Sequence, residues 1–167
     1  RADKKGVLAE AGVADSAAVG RLLNQEILCA QAAGLRVLYC VGENAEEQEN
    51  WQEVLGQQLD TGLAGADRDN TVIAYEPVWS IGPGKTPAGP AYITKIARFI
   101  KERTGGMDVV YGGGLKTENA GMLASIPEID GGLIALTAFS GQVGFYPGQY
   151  LDIIRTYWDG IKEREQR

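Results

Sequence analysis

The chain of 167 residues contains no histidine and only two cysteines. Without histidine it lacks the commonest general acid–base group and the commonest zinc ligand. Cys29 and Cys40 match neither a disulfide framework nor a metal-ligand spacing. One falls in a helical pattern and the other in a strand, so both are expected to be reduced and semi-buried. Long apolar runs are missing too: none approaches the ~20 residues that cross a bilayer. The first ten residues lack the apolar stretch of a signal peptide. A cytoplasmic protein without a membrane partner is the expectation. Positive charge is scarce, with 16 Lys and Arg against 22 Asp and Glu and a net charge of −6. That balance argues against nucleic acid, whose phosphates select basic faces. A small anionic substrate stays open, because a few local donors can hold one. Low-complexity segments and fixed-period repeats are absent.

What is present is an ordinary globular balance, 44% apolar and 23% charged, with 23 glycines. It fits one domain over residues 1–167. Apolar residues at helical spacing (Val19, Leu22, Leu23, Ile27, Ala30) predict a helix over 16–33, stopped by Gly34. Residues 37–41 read as a strand ending at Gly42-Glu43. Asn44 with Glu47 resembles a helix start, and Trp51, Val54, Leu55, Leu59 and Leu63 form the next stripe. Residues 71–75 are a second strand. Pro90 suits the first position of a helix whose stripe is Ile93, Ile96, Ala97 and Ile100, closed by Gly105-Gly106. A third strand over 109–111 ends in Gly112-Gly113-Gly114. Thr117 is expected to cap a short helix through Leu123. A fourth strand is predicted over 132–138. Pro147 opens a last helix with Tyr150, Leu151, Ile154, Trp158 and Ile161 facing inward. Strand and helix thus alternate four times. The strands are nearly continuous apolar runs, which predicts a parallel sheet covered on both faces.

Function in such sheets collects at the carboxyl ends of strands. The stretch Ala74-Tyr75-Glu76-Pro77-Val78-Trp79-Ser80-Ile81-Gly82-Pro83-Gly84-Lys85-Thr86 begins there. Glu76 is open to two roles, a structural acid or a general base. Pro77 ends the ladder and fixes the exit of the chain. Val78-Trp79 and the glycines that follow resemble a lid with an apolar blade between two hinges. Such a lid would exclude water and raise the basicity of a carboxylate beneath it. Gly84-Lys85-Thr86 is not a nucleotide P-loop: the pattern needs glycine at position 79, where Trp79 stands, and Pro83 and Pro87 remove amide donors. Gly112-Gly113-Gly114 is not a dinucleotide turn either, because the third glycine of that pattern falls on Thr117. It remains open to phosphate contact or to a tight turn. Glu43 reads as an acid complementing a helix dipole, and Asp130-Gly131 as a turn.

Glu-Pro-Val-Trp followed by Ile-Gly-x-Gly-Lys-Thr closely resembles the base-and-lid segment of the triosephosphate isomerase family. Gly34-Leu35 through Cys40-Val41-Gly42-Glu43, Tyr111-Gly112-Gly113, and Pro127-x-Ile129-Asp130-Gly131 are similar to further segments of that family, in the same order. The resemblance spans residues 20–135. It implies an α/β fold, the C-terminal half of a (β/α)8 TIM barrel with four parallel β/α units. It implies a ketose–aldose isomerase acting on a small phosphorylated sugar, without a cofactor or metal, and homodimeric at full length. Glu76 would be the base that moves a proton between adjacent carbons. Pro77, Val78, Trp79, Gly84, Lys85 and Thr86 would belong to the closing lid. Gly82, Gly114, Ala135 and Leu136 would hold the phosphate. Glu43, Tyr111 and Gly112 would support the lid.

The departures carry expectations of their own. The family's electrophilic histidine and substrate-binding lysine segments are absent, which implies a truncated chain that is inactive alone. Gly114 stands where the family has serine, and Ala135-Leu136 where it has paired glycines. Residues 137–147 are longer than expected after that strand. These changes fit a sister isomerase for a tetrulose phosphate. A non-catalytic, partner-binding barrel fragment is the alternative. Either way, four strands of a closed barrel leave two sheet edges open.

Overall fold

The computed structural model describes residues 2–13, 17–82, 85–134 and 146–166. The helices are α1 (Ala2–Glu10), α2 (Ala18–Ala32), α3 (Trp51–Gly62), α4 (Pro90–Thr104), α5 (Thr117–Ala124) and α6 (Pro147–Glu165). The strands are β1 (Val37–Val41), β2 (Thr71–Tyr75), β3 (Val109–Tyr111) and β4 (Gly131–Gly132). They form one parallel sheet in the order β1-β2-β3-β4. The four parallel β/α units predicted from the sequence are therefore present.

Local chemistry explains most boundaries. Gly34 ends α2 at φ 78° and Gly105 ends α4 at φ 75°, both in the left-handed region where a side chain is strained. Pro90 occupies the first turn of α4. Asn44 and Glu47 shape a 3-10 turn, Ala45–Glu47, rather than the start of α3, with the Asn44 amide donating to Glu47 Oε2 at 2.8 Å. Thr117 is the first helical residue of α5, and Lys116 occupies its cap position. Of the fourth strand predicted over 132–138, only Gly132 falls in β4, which begins one residue earlier at Gly131; residues 133–134 are not strand, and residues 135–138 lie outside the described part.

The core lies between the sheet and its helices. Odd-numbered strand residues (Tyr39, Val41, Ile73, Tyr75, Val109, Tyr111) join Leu55, Leu59, Ile93, Ile96, Ile100 and Leu123 in one buried cluster. The opposite face is different. Leu38 and Cys40 are exposed, and Val72 and Val110 are half-buried. Coverage of both faces was the sequence expectation; among the described residues helices cover one, and on the other Ala74 is buried while Leu38 and Cys40 are not. For the same reason Cys40 is exposed rather than semi-buried: it lies on the open face of the edge strand. Cys29 is exposed on the outer side of α2.

The last helix also differs from its predicted orientation. Tyr150, Leu151, Ile154 and Trp158 are exposed, and Ile153 is the buried residue instead. Small residues decide this. A Cβ on Gly160 would stand 2.8 Å from Ala124 Cβ and 3.1 Å from Gly121 O, so α6 crosses α5 at close range there. Arg164 Nη1 then donates to Ala124 O and Ile126 O, at 3.0 and 3.1 Å, and satisfies carbonyls beyond α5.

Candidate active site

The sheet register aligns Val41, Tyr75, Tyr111 and Gly132 across neighbouring strands. One residue further, Gly42, Glu76 and Gly112 stand side by side at the carboxyl rim. The Glu76 amide donates to Val41 O and the Gly112 amide to Tyr75 O, both at 2.8 Å. The spacing there leaves room only for glycine at position 42, and at position 112 a larger residue would displace the Glu76 side chain. A Cβ on Gly42 would lie 1.8 Å from Glu76 O, and one on Gly112 would lie 2.6 Å from Glu76 Cγ. Two glycines thus leave the slot in which Glu76 stands. Glu76 is half-buried and is among the residues lining a groove of about 460 Å³, with Gly42, Val78 and residues of α2 and β1.

Beyond Glu76 the chain turns sharply. Pro77, at φ −65°, leads into a 3-10 turn, Val78–Ser80. The Val78 amide donates to Glu43 O at 3.1 Å, and the Ser80 amide and hydroxyl both reach Pro77 O. Val78 is exposed, Trp79 half-buried and Ser80 buried. Gly82 has φ 118°, a conformation that side chains rarely adopt. Lys85 and Thr86 are exposed. Gly84 lies outside the described residues.

Glu43 sits under this turn, with no exposed surface. Its Oε1 accepts hydrogen bonds from Tyr75 Oη (2.9 Å), Trp79 Nε1 (2.8 Å) and Tyr92 Oη (3.1 Å). Its Oε2 has no hydrogen-bond partner among the described residues. Burial, followed by the Glu43 charge, pushes the Tyr75 and Tyr92 phenols well above the usual tyrosine range. Both hydroxyls therefore remain protonated donors.

The Tyr111 ring lies 6.3 Å from that of Tyr75. Its hydroxyl is buried beside Ser80 and the Ala88 main chain, but completes a full hydrogen bond with neither. Burial pushes this phenol up as well. Gly114, at φ 96°, is held by Asn119, whose Nδ2 donates to Gly114 O at 2.9 Å. The Asn119 Oδ1 accepts from the Lys116 amide at 2.8 Å, which closes the turn after β3. Ala135 and Leu136 lie outside the described residues. Among the described residues no acidic, cysteine or histidine side chains form a metal-binding group, and no helix is long and apolar enough to cross a membrane.

Of the predicted site residues, the fold gathers Glu43, Glu76, Pro77, Val78, Trp79, Tyr111 and Gly112 at one end of the sheet. Gly42, Tyr75, Ser80 and Tyr92 join them there without having been singled out. For Gly42 the signal was in plain view, a glycine ending the strand beside the one that delivers Glu76. Tyr92 carried no such signal.

Comparisons with known proteins bear on the family and the fold. The family model described as triosephosphate isomerase matches residues 18–156. A triosephosphate isomerase of Halorhodospira halophila is 36% identical over 149 residues, covering 81% of this chain and 57% of that protein. One from Pseudomonas syringae pv. syringae is 43% identical over 126 residues, covering 68% of this chain and 50% of that protein. The crystal structure of triosephosphate isomerase from Bartonella henselae superposes with a TM-score of 0.68 at 29% identity, over 83% of this chain and 57% of that one. The chain spans about half the length of the curated relatives it matches. On sequence and fold together, the chain belongs to the triosephosphate isomerase family.

Proposed function

We propose that this chain carries the base and lid of a ketose–aldose isomerase acting on a small sugar phosphate. The observation that supports it most is the setting of Glu76, wedged between Gly42 and Gly112 at the rim and facing a groove beside the root of the 77–86 loop. A carboxylate at that rim position can be directed at a substrate carbon, which proton abstraction from carbon requires. Glu76 takes a proton from the carbon next to the carbonyl, and the electron pair of that C–H bond moves toward the carbonyl carbon. The carbonyl oxygen gains a proton, and an enediol results. Glu76 then returns its proton to the adjacent carbon while the hydroxyl on the first carbon gives up its proton to the group that protonated the carbonyl oxygen; a new carbonyl forms there, and the carboxylate is regenerated. In this reading the 77–86 loop closes over the substrate and excludes water. Gly82, Gly84, Lys85 and Thr86 form its far end. Gly114, Ala135 and Leu136 offer main-chain amides to the phosphate.

The reaction also needs an electrophile on the carbonyl, and the sequence has no histidine. That group comes, in this reading, from strands completing the sheet beyond its open edges. Gly114 and Leu136 stand where the family has serine and glycine, and the sugar in this reading is a triose phosphate or a close tetrulose phosphate. A coupled assay with both sugars, on the completed barrel and its Glu76→Gln variant, tests the proposal. Activity dependent on Glu76 supports it; undiminished turnover in the variant overturns it. The missing histidine and the exposed Leu38 and Cys40 face support a second reading, a non-catalytic module that binds a partner through its open edge. Absence of turnover in the completed barrel would favour that reading.

A further inference from the structure

The 77–86 loop leaves β2 through Trp79 and enters α4 a few residues before Tyr92. These two side chains flank the loop in sequence, yet they meet in space. Their rings stand edge to face, with centroids 5.6 Å apart at 85°. Both donate to the same oxygen, Glu43 Oε1. Lys95 Nζ lies 4.6 Å from the centre of the Tyr92 ring and 4.8 Å from that of Trp51, holding the Tyr92 ring from α4 and α3. We propose that Tyr92 is a positioning residue: with Trp79 it forms a clasp on Glu43 that joins the two roots of the loop and sets how readily Trp79 is released.

The reasoning rests on how three donors share one acceptor. A carboxylate oxygen has two lone pairs, so a third donor weakens the other two. Tyr75, Trp79 and Tyr92 all use Oε1 while Oε2 has no partner among the described residues. When Trp79 swings away, Glu43 keeps two phenol donors, and a buried carboxylate is not left bare. Leaving it bare would hold the loop down, because an unsatisfied buried charge is costly. Tyr75 is fixed on the strand, whereas Tyr92 moves with α4 at the far root of the loop. Tyr92 therefore links the release of one root to the position of the other. The part of the loop in catalysis rests on the isomerase reading above; the clasp itself does not.

The test follows the indole N–H of Trp79 by NMR in the full chain, with Trp158 as an internal reference remote from Glu43. Tyr92→Phe keeps the ring and its contact with Lys95 but removes the donor. Trp79 then shares Glu43 with Tyr75 alone and gives up more on release. Exchange of its indole proton should slow by about tenfold, the scale of one weakened charge-assisted hydrogen bond. Tyr75→Phe should slow it in the same direction, and the double variant more than either. The Trp158 signal and the helical content should not change. Trp79 exchange that is unchanged or faster in Tyr92→Phe, with the fold intact, would overturn the clasp. No substrate enters this measurement, so the predicted exchange pattern together with a completed barrel that shows no turnover would refute the isomerase reading while sustaining the clasp.

Discussion

Alanine at Gly42 and alanine at Gly112 should have different consequences, although both residues flank Glu76. At position 42 the new Cβ would meet main chain, 1.8 Å from Glu76 O and 2.7 Å from its carbonyl carbon. Main chain cannot rotate away, so the ends of β1 and β2 have to separate. That strains the 2.8 Å bond from the Glu76 amide to Val41 O and the 3.1 Å bond from Val78 to Glu43 O. Overpacking costs about 1–3 kcal/mol and a weakened ladder bond about 1 kcal/mol, so Gly42→Ala should lose about 2–4 kcal/mol. At position 112 the Cβ meets the Glu76 side chain, 2.6 Å from Cγ and 3.1 Å from Oε1. That side chain can turn, so Gly112→Ala should lose only about 1 kcal/mol while redirecting the carboxylate. Urea unfolding of the three proteins measures both effects. For an m-value of about 2 kcal/mol/M, the midpoint of Gly42→Ala falls by about 1–2 M and that of Gly112→Ala by about 0.5 M. A Gly42→Ala protein as stable as the parent would refute the packing argument, and so would the reverse order.

Alkaline pH gives a second test. Burial and Glu43 raise the Tyr75 and Tyr92 phenols, and burial raises Tyr111, in the folded state. Unfolded tyrosine ionises near pH ~10, so the stability tied to these protons is complete below that pH and is lost as pH rises above it. Phenolate absorbance from these three residues should appear only with unfolding; full ionisation of all tyrosines in a folded chain would contradict the burial argument. A third prediction concerns the open faces. Leu38 is 47% exposed beside the exposed Cys40 on the open face of β1, so the isolated chain should self-associate at micromolar concentration. Leu38→Lys should reduce association in sedimentation velocity, whereas a monodisperse parent monomer would show that these surfaces are not adhesive.

β1, β2 and β3 were legible because each is a short apolar run bounded by glycine or by a turn, and they follow the predicted limits, whereas β4 is a glycine pair with no such run. The rim position of Glu76 followed from the run that Pro77 ends. The face of α6 was not legible, since Tyr150, Leu151, Ile154 and Trp158 make as good a stripe as Ile153, Tyr157 and Gly160. Contact with Gly121 and Ala124 on α5 decides between them, and no pattern within α6 contains that information. The exposure of Cys40 depends on which strand lies at the edge, a property of the whole sheet. Tyr92 reaches Glu43 across 49 positions of chain, so its place in the site arises only from the packing of α4 against α3 and β3.

The central claim is that Glu76 moves the proton, and single-turnover kinetics of Glu76→Gln in the completed barrel measures this most directly. Glutamine fills the same slot between Gly42 and Gly112 but cannot act as the base. A positioned general base contributes about 10²–10⁴-fold, so the chemical step should fall by that factor with sugar-phosphate binding nearly unchanged. A variant that turns over at the parent rate, or that loses binding instead of chemistry, would contradict the account.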